Sequence, residues 1–303
     1  MKNTALNLLR RANGFAWRLT SATVKSVLVR WGRRTLPFAT RCVWLHPRPG
    51  VPPLMLLDRI KVSAPLTAIA AGDHPTLELV RQALEDAAQP PRATLRGLEQ
   101  RLREVLRSHQ GTLERNAYLT GLRAKPIPIA EDAERLSLPP AFCRFLYYLV
   151  RAMHPALVVE LGTAHGVSAS HMLTAMEESG HGHLHTIDGD PARRRLAVHN
   201  LQAVLSSKRV TSHVGMFAHV LPPLLASVDG PVDLAFDDGD HQPASTLANF
   251  QLLFPRLRSG GVLVIDDINH LTGVAEVWQA IVQESGLAAS VEINGRVGVC
   301  IKR

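Results

Sequence analysis

The segment DLAFDDGDH, residues 233–241, carries four aspartates, and three of them follow a short apolar run. A second apolar run, GGVLVIDD, ends in Asp266 and Asp267. If the two runs form adjacent strands, their acids come together at one edge of the sheet. Carboxylates held together repel one another unless a cation neutralises them, and a hard divalent ion such as Mg²⁺ prefers oxygen ligands. The sequence therefore predicts a cation site formed by Asp238, Asp266 and Asp267.

Acid–base chemistry is the second expectation for this segment. A cation that binds a substrate hydroxyl lowers the pKa of that hydroxyl, and a nearby carboxylate can then remove the proton. His241 ends the segment, and it either contacts the substrate and assists proton transfer or is a hydrogen-bonded loop histidine. For Asp237 we expect a structural role, capping a helix or a turn.

A glycine-bearing turn precedes these acids in the segment VVELGTAHGVSAS. Glu160 ends a predicted strand, Gly162 and Gly166 lie in the turn, and Ser168 opens a helix. Glycines let the backbone turn sharply beside a ligand, and helix N-terminal amides favour an anionic group. The pattern is not GxGxxG because position 164 is alanine, so a dinucleotide is less favoured. A tight turn without a ligand is the alternative.

A further acid ends the next predicted strand, LHTIDGDP. Asp188 is placed to accept hydrogen bonds from both hydroxyls of a ribose lying over the adjacent strand end. Asp190 is instead predicted to cap the helix that begins with Pro191.

Histidines near these motifs have weaker interpretations. His165 in the glycine turn either touches a ligand or faces solvent. His183 and His185 share a strand face, but they lack a third ligand at suitable spacing, so we assign them to strand entry rather than to a metal site.

The elements that must position these residues alternate between strand and helix from about residue 126 onward. Seven segments have strand character: ALVVEL, HLHTID, VTSHVG, VDLAFDD, GVLVIDD, SVEI and VGVCIK. Helical segments separate the first five, which predicts an α/β fold with a doubly wound, mainly parallel, seven-stranded sheet. Ligands of such sheets bind beyond the carboxyl ends of the strands.

With these motifs in this order, the chain resembles the class I S-adenosylmethionine-dependent methyltransferases over residues 126–303. The resemblance implies a Rossmann-like fold in which the glycine turn receives the methionine part of S-adenosylmethionine. It implies that Ser168 holds the cofactor carboxylate, Asp188 holds the ribose, and Gly215 with Met216 form the adenine wall. The full set of cofactor-binding residues expected on this basis is Glu160, Gly162, Thr163, Ala164, Gly166, Ser168, Asp188, Gly215, Met216 and Asp238.

The acidic segments are similar to those of metal-dependent O-methyltransferases of the catechol and caffeoyl-CoA type, and still more to sugar O-methyltransferases of antibiotic pathways. This similarity implies that Asp238, Asp266 and Asp267 are ligands of Mg²⁺ and that Asp240 is the general base, with His241 as a second catalytic candidate. The implied reaction is methyl transfer to a hydroxyl of a small molecule such as a sugar, a glycosylated metabolite or a catechol-like compound.

The N-terminal part of the chain has a different composition. The net charge is +8, yet residues 1–61 contain twelve lysines and arginines and one acid. Their spacing predicts a basic amphipathic arm that contacts an anionic membrane peripherally or a partner, acts as an organelle-targeting presequence, or packs on its own protein. A Pro-rich linker, HPRPGVPP, closes this segment. Residues 62–125 then form a helical region, a lid or an oligomerisation element, with two helices broken at QPPRA and a packing stripe of Leu95, Leu98, Leu102 and Leu106.

Composition and motifs also define the alternatives. Three scattered cysteines suggest neither disulfides nor a zinc site, and no apolar run is long enough to span a membrane. We therefore expect a cytoplasmic protein that is either free or associated with a membrane surface. An NAD-dependent dehydrogenase shares the fold, but the missing GxGxxG speaks against it. A degenerate domain that binds membrane or nucleic acid through the arm is the non-enzymatic alternative, and the intact motifs speak against it. Nucleic acid is not the expected partner, and a homo-oligomer is left open.

Overall fold

The computed structural model describes residues 66–113, 126–205, 207–269 and 272–303. The predicted basic arm and Pro-rich linker lie outside the described residues, as does the part of the 62–125 region beyond residues 66–113. The domain boundaries therefore stay predictions.

Helices and strands alternate along most of the described chain. The helices are α1 (Pro75–Ala88), α2 (Ala93–Ser108), α3 (Ile129–Leu136), α4 (Pro140–Met153), α5 (Val167–Ser179), α6 (Pro191–Val204), α7 (Phe217–Ser227), α8 (Pro243–Leu253) and α9 (Thr272–Ile281). The strands are β1 (Ala68–Gly72), β2 (Thr112–Leu113), β3 (Ile127–Pro128), β4 (Leu157–Leu161), β5 (His183–Asp188), β6 (Val210–Val214), β7 (Val232–Asp237), β8 (Leu257–Ile265), β9 (Leu287–Ile293) and β10 (Val297–Lys302).

The main sheet has the strand order β1-β9-β10-β8-β7-β4-β5-β6. The strands from β8 to β6 are parallel, whereas β10 pairs antiparallel with β8 and β9. Strand order reverses between β4 and β7, which lie side by side although β5 and β6 separate them along the chain. This reversal defines the crevice in which doubly wound sheets bind ligands.

The predicted α/β class is confirmed, but within the described residues the sheet has eight strands rather than seven. The additional strand, β1, pairs antiparallel with β9 at the edge of the sheet. Its sequence, AIAAG, is exposed at every position. Because alanine and glycine are poor strand formers, local sequence gives no sign of this strand, and long-range pairing with β9 creates it.

Apolar side chains cover both faces of the sheet. One face packs Val158, Leu184, Leu234, Phe236 and Val264 against helices that include α4 and α5. The other face packs Val159, Leu161, Ile187, Ala235 and Ile265 against α7, α8 and α9. Near-continuous burial of this kind is typical of parallel strands covered by helices on both sides.

The two helices predicted within residues 62–125 are present as α1 and α2. The predicted packing of the leucine stripe is confirmed for Leu95, Leu98 and Leu102, which are buried in the same core as α4 and α5, whereas Leu106 is half-buried. Among the described residues, no helix is both long and apolar enough to cross a membrane.

Candidate active site

The turn after β4 has the unusual backbone that its sequence predicts. Gly162, Ala164 and Gly166 all have positive φ angles, of 94°, 45° and 78°. A Cβ atom on Gly162 would lie 2.0 Å from the carbonyl oxygen of Asp238, so glycine is required there. Helix α5 begins after Gly166 without a side-chain cap, which leaves its first amides available to an anion.

Hydrogen bonds from buried hydroxyl groups stabilise this turn. Ser168 donates a hydrogen bond of 2.5 Å to Glu160, and Thr186 donates one of 2.6 Å to the other carboxylate oxygen. The hydroxyl of Thr163 lies 2.5 Å from that of Thr186. Burial raises the pKa of Glu160 to about 7, although the two hydroxyls act in the opposite direction. Glu160 and Thr163 are thus supports of the turn, and their contact with a cofactor stays a prediction.

Ser168 was expected to hold the cofactor carboxylate. Its side chain is buried and its hydroxyl is engaged by Glu160, so in this arrangement the hydroxyl supports the turn. The neighbouring backbone amides are the groups at this position that fit a carboxylate.

Asp188 lies at the end of β5, beside the glycine turn, as predicted. One carboxylate oxygen accepts a 2.7 Å hydrogen bond from the amide of Ala164, and the other accepts one of the same length from Asp190. Burial raises its pKa, with these backbone donors acting against the rise. The predicted helix cap at Asp190 is confirmed, because its side chain accepts from the amides of Ala192 and Arg193.

The predicted adenine wall lies next to Asp188. The amide of Gly215 donates to the carbonyl of Asp188, and a Cβ on Gly189 would be 3.6 Å from the sulfur of Met216. Met216 and Val214 are apolar, yet they are 46% and 47% exposed. This exposure leaves the apolar side chains accessible to a ligand, and their contact with an adenine stays a prediction.

The acidic loop after β7 crosses directly against the glycine turn. The amide of Asp238 donates to the carbonyl of Leu161, and its carbonyl lies against Gly162. Burial, followed by the charges of Asp266 and Asp267, raises the pKa of Asp238 well above its usual value. The sheet thus brings the glycine turn and the acidic group to one place.

Asp237 has the structural role predicted for it. Its carboxylate accepts hydrogen bonds from the side-chain amide of Asn249 and from the backbone of Gly239. Burial raises its pKa to about 6.

Arg296 joins the predicted acidic cluster, and sequence reasoning did not identify it. Its guanidinium donates two hydrogen bonds to Asp266, at 2.9 and 2.6 Å, and lies 3.1 Å from Asp267. Burial alone would raise the pKa of Asp266, but the charge and hydrogen bonds of Arg296 lower it. Arg296 lies in the β9–β10 turn, which only the antiparallel end of the sheet brings here, so no local motif could indicate it.

His241 extends over the acidic cluster, whereas Asp240 faces its own loop. The Nε2 atom of His241 lies 3.5 Å from a carboxylate oxygen of Asp238 and 3.7 Å from one of Asp267. The backbone of His241 has a left-handed φ of 52°. A carboxylate oxygen of Asp240 accepts a 3.2 Å hydrogen bond from the amide of Gln242.

A second network, also unforeseen, ties helix α3 to the glycine turn. The buried Asp132 on α3 contacts Nε2 of His165 at 2.9 Å and accepts two hydrogen bonds from Arg193. Burial opposes the charged form, yet these partners lower the pKa of Asp132 to about 2. His165 is 1% exposed, so the solvent-facing alternative is wrong for it.

Comparisons with known proteins agree with this geometry. A family described as "Methyltransferase domain" matches residues 159–268. A catechol O-methyltransferase from Niastella koreensis is 29% identical over 132 residues, which cover 44% of this chain and 58% of that protein. A protein from a Mycobacterium species named "Putative O-methyltransferase" is 31% identical over 166 residues, which cover 54% of this chain and 70% of that protein.

Solved structures share the fold. An O-methyltransferase from Bacillus cereus, crystallised with S-adenosylhomocysteine, aligns with a TM-score of 0.52 at 18% identity and covers 74% of this chain and 97% of its own. The strand order, the glycine turn and the acid at the end of β5 together define a Rossmann-like methyltransferase fold. With the mycobacterial relative matched over more than two thirds of its length, the chain belongs to the class I S-adenosylmethionine-dependent O-methyltransferases.

Proposed function

We propose that this chain transfers the methyl group of S-adenosylmethionine to a hydroxyl of a small molecule. The observation that carries the proposal is the contact between the glycine turn after β4 and the acidic loop after β7. The carbonyl of Asp238 lies against Gly162, so the acidic loop adjoins the cofactor turn. A methyl donor bound along the turn would therefore lie beside groups able to accept a proton.

The described residues fit S-adenosylmethionine. Positive φ angles at Gly162 and Gly166 and the uncapped start of α5 suit the amino-acid part of the cofactor. Asp188 supports the ribose, and the exposed Met216 supports the adenine. When bound, the cofactor supplies an electrophilic sulfonium methyl group.

Proton removal is the chemistry left to the chain. A base within hydrogen-bond reach of the acceptor takes the hydroxyl proton as the oxygen attacks. His241 suits this role because its imidazole extends over the acidic cluster, with Nε2 3.5 Å from a carboxylate oxygen of Asp238 and 3.7 Å from one of Asp267. Asp240, the base implied by the resemblance, already accepts a hydrogen bond within its loop and is the alternative.

The carboxylates predicted to bind Mg²⁺ do not fit that ion in the arrangement described. Both oxygens of Asp266 are hydrogen-bonded to Arg296. Among the described residues, no group of three or more His, Cys, Asp or Glu side chains is placed to hold a metal. No step of the proposed reaction is therefore assigned to a metal.

Catechol-like compounds, sugars and glycosylated metabolites are the acceptor classes that we propose. The relative from Niastella koreensis is named a catechol O-methyltransferase, and the acidic segments resemble sugar O-methyltransferases. The acceptor would lie beside His241, because this side chain extends over the acidic cluster.

Methyl transfer from labelled S-adenosylmethionine to a panel of catechols and sugars tests the function. With any accepted substrate, His241→Asn should lower turnover by about 10² to 10⁴ while leaving cofactor affinity unchanged, as expected for a general base. Asp240→Asn is the matched variant and should retain most activity. The reverse result would assign the base to Asp240, and failure of the whole panel in the presence of cofactor binding would contradict the acceptor classes.

The basic arm adds a proposal about localisation. We infer that residues 1–61 contact anionic membrane surfaces peripherally, because their bases are almost unopposed by acids. Binding to acidic vesicles should fall steeply as salt rises, since exposed charges are screened beyond about 8–10 Å at physiological ionic strength. Absence of binding at low salt would indicate that the arm packs on protein, and a homo-oligomer is the partner to test next.

A further inference from the structure

A guanidinium lies at the place where a metal ion was expected. Arg296 donates to both oxygens of Asp266 and lies 3.1 Å from Asp267. The side chain of Asp266 is 1% exposed, and that of Arg296 is 26% exposed. Such a two-point pair has the geometry in which arginine binds carboxylates most strongly.

The fold fixes Arg296 in this position from several sides. Its carbonyl accepts a 2.8 Å hydrogen bond from the amide of Ile268, and its own amide donates to the carbonyl of Ile293. The guanidinium carbon lies 5.9 Å from the centre of the Phe142 ring on α4. A side chain held by its turn, by an aromatic ring and by two acids is a built part of the site.

The positive charge of Arg296 offsets the electrostatic repulsion between the clustered carboxylates. Asp238, Asp266 and Asp267 meet at the ends of β7 and β8, and their repulsion requires a cation. A metal ligated by Asp266 would have to share carboxylate oxygens that already accept two charge-assisted hydrogen bonds from Arg296. The chain therefore carries a competitor for any metal at this position.

We propose that Arg296 is the positioning cation of the acidic cluster and takes the place that a divalent metal would fill. It holds Asp266 and Asp267 so that Asp267 and Asp238 face His241. The hydrogen bonds to Asp266 use its Nε and Nη2 atoms. The role given to Arg296 in methyl transfer rests on the proposed function. Its test does not, because it measures only metal binding.

Titration with Mn²⁺, followed by calorimetry, tests the proposal without an acceptor or methyl transfer. The full-length wild type should bind Mn²⁺ at this site no more tightly than about 1 mM. Arg296→Gln should bind at least about tenfold more tightly, because three carboxylates lose their internal cation. Adding Asp266→Asn to this variant should remove the gained affinity.

Two control variants isolate the charge of Arg296. Arg258→Gln removes an arginine that pairs with Asp233 at the opposite end of β7, so it should leave Mn²⁺ affinity at the wild-type value. Arg296→Lys keeps the charge and should also gain no affinity. Binding of S-adenosylhomocysteine, measured in parallel, reports the cofactor site separately, so loss of the proposed function can be distinguished from failure of this inference.

Each outcome decides the proposal. Equal Mn²⁺ affinity in wild type and folded Arg296→Gln would overturn it. If Arg296→Gln does not fold, saturable micromolar Mn²⁺ binding by the wild type that Asp266→Asn removes would overturn it as well. In that case, the absence of Mn²⁺ binding by both wild type and Arg296→Lys supports the proposal.

Discussion

At the scale of single residues, the site divides into side chains that face the cleft and side chains that support it. Asp188 does both, because it bridges the amides of Ala164 and Asp190 while lying at the strand end where a ribose would rest. Glu160 supports the turn through the two hydroxyl groups that engage its carboxylate, and its contact with a cofactor stays a prediction.

Replacement of Asp188 should separate these roles. Asp188→Ala removes the ribose hydrogen bonds and should weaken S-adenosylhomocysteine binding by about 1–3 kcal/mol, as measured by calorimetry. Asp190→Ala, its neighbour, removes a helix cap and should lower the free energy of unfolding by about 1 kcal/mol with little effect on affinity. Equal affinity in Asp188→Ala and wild type would contradict the assignment.

At the scale of elements, the backbone of the glycine turn is the critical feature. Gly162→Ala places a Cβ against the carbonyl of Asp238 at a positive φ, so it should cost more than about 3 kcal/mol in unfolding free energy. Gly180→Ala has a φ of 65° but meets nothing within 4 Å, so it should cost only about 1 kcal/mol. Denaturant unfolding of the two variants measures the difference, and equal losses would show that the close approach is unimportant.

The histidine group on strands β5 and β6 is expected to stabilise the fold less in acid. His185 lies between His183 and His213, and burial, followed by the charges of these two neighbours, lowers its pKa from 6.5 to about 4. The unfolded chain therefore takes up this proton at higher pH than the folded chain, so the contribution of His185 to the free energy of unfolding falls as pH drops from about 6.5 to about 4, whereas Glu160 and Asp237, with raised pKa values, contribute in the opposite direction. His185→Gln should make the slope of unfolding free energy against pH less positive than in wild type over this range, and an unchanged slope would contradict the assignment.

Sequence patterns predicted the elements better than the contacts between them. Alternating strands and helices, the glycine turn, the cap at Asp190 and the strand-end position of Asp188 all follow from local chemistry. Strand β1 and the third histidine, His213, depend on pairing between distant segments. Arg296 reaches the acidic cluster only because β10 lies beside β8, and no motif near residue 296 records that arrangement.

At the scale of the whole molecule, helices α1 and α2 belong to the same core as the helices that cover the sheet. Leu98 is completely buried, so Leu98→Ala should lower the free energy of unfolding by about 2–5 kcal/mol in a single cooperative transition. Leu247→Ala, at a site that is 38% exposed, should cost far less. A separate early transition in Leu98→Ala would instead indicate that α1 and α2 unfold independently, as a lid does.

Cofactor choice tests the central claim most directly, because the fold alone also suits a nicotinamide dinucleotide. Calorimetric titration of the full-length protein with S-adenosylhomocysteine and, separately, with NAD compares the two ligands under one condition. We predict saturable binding of S-adenosylhomocysteine at one site per chain, weakened in Asp188→Ala, and no binding of NAD. Binding of NAD without binding of S-adenosylhomocysteine would contradict the assignment of the glycine turn and Asp188 to a methyltransferase cofactor site.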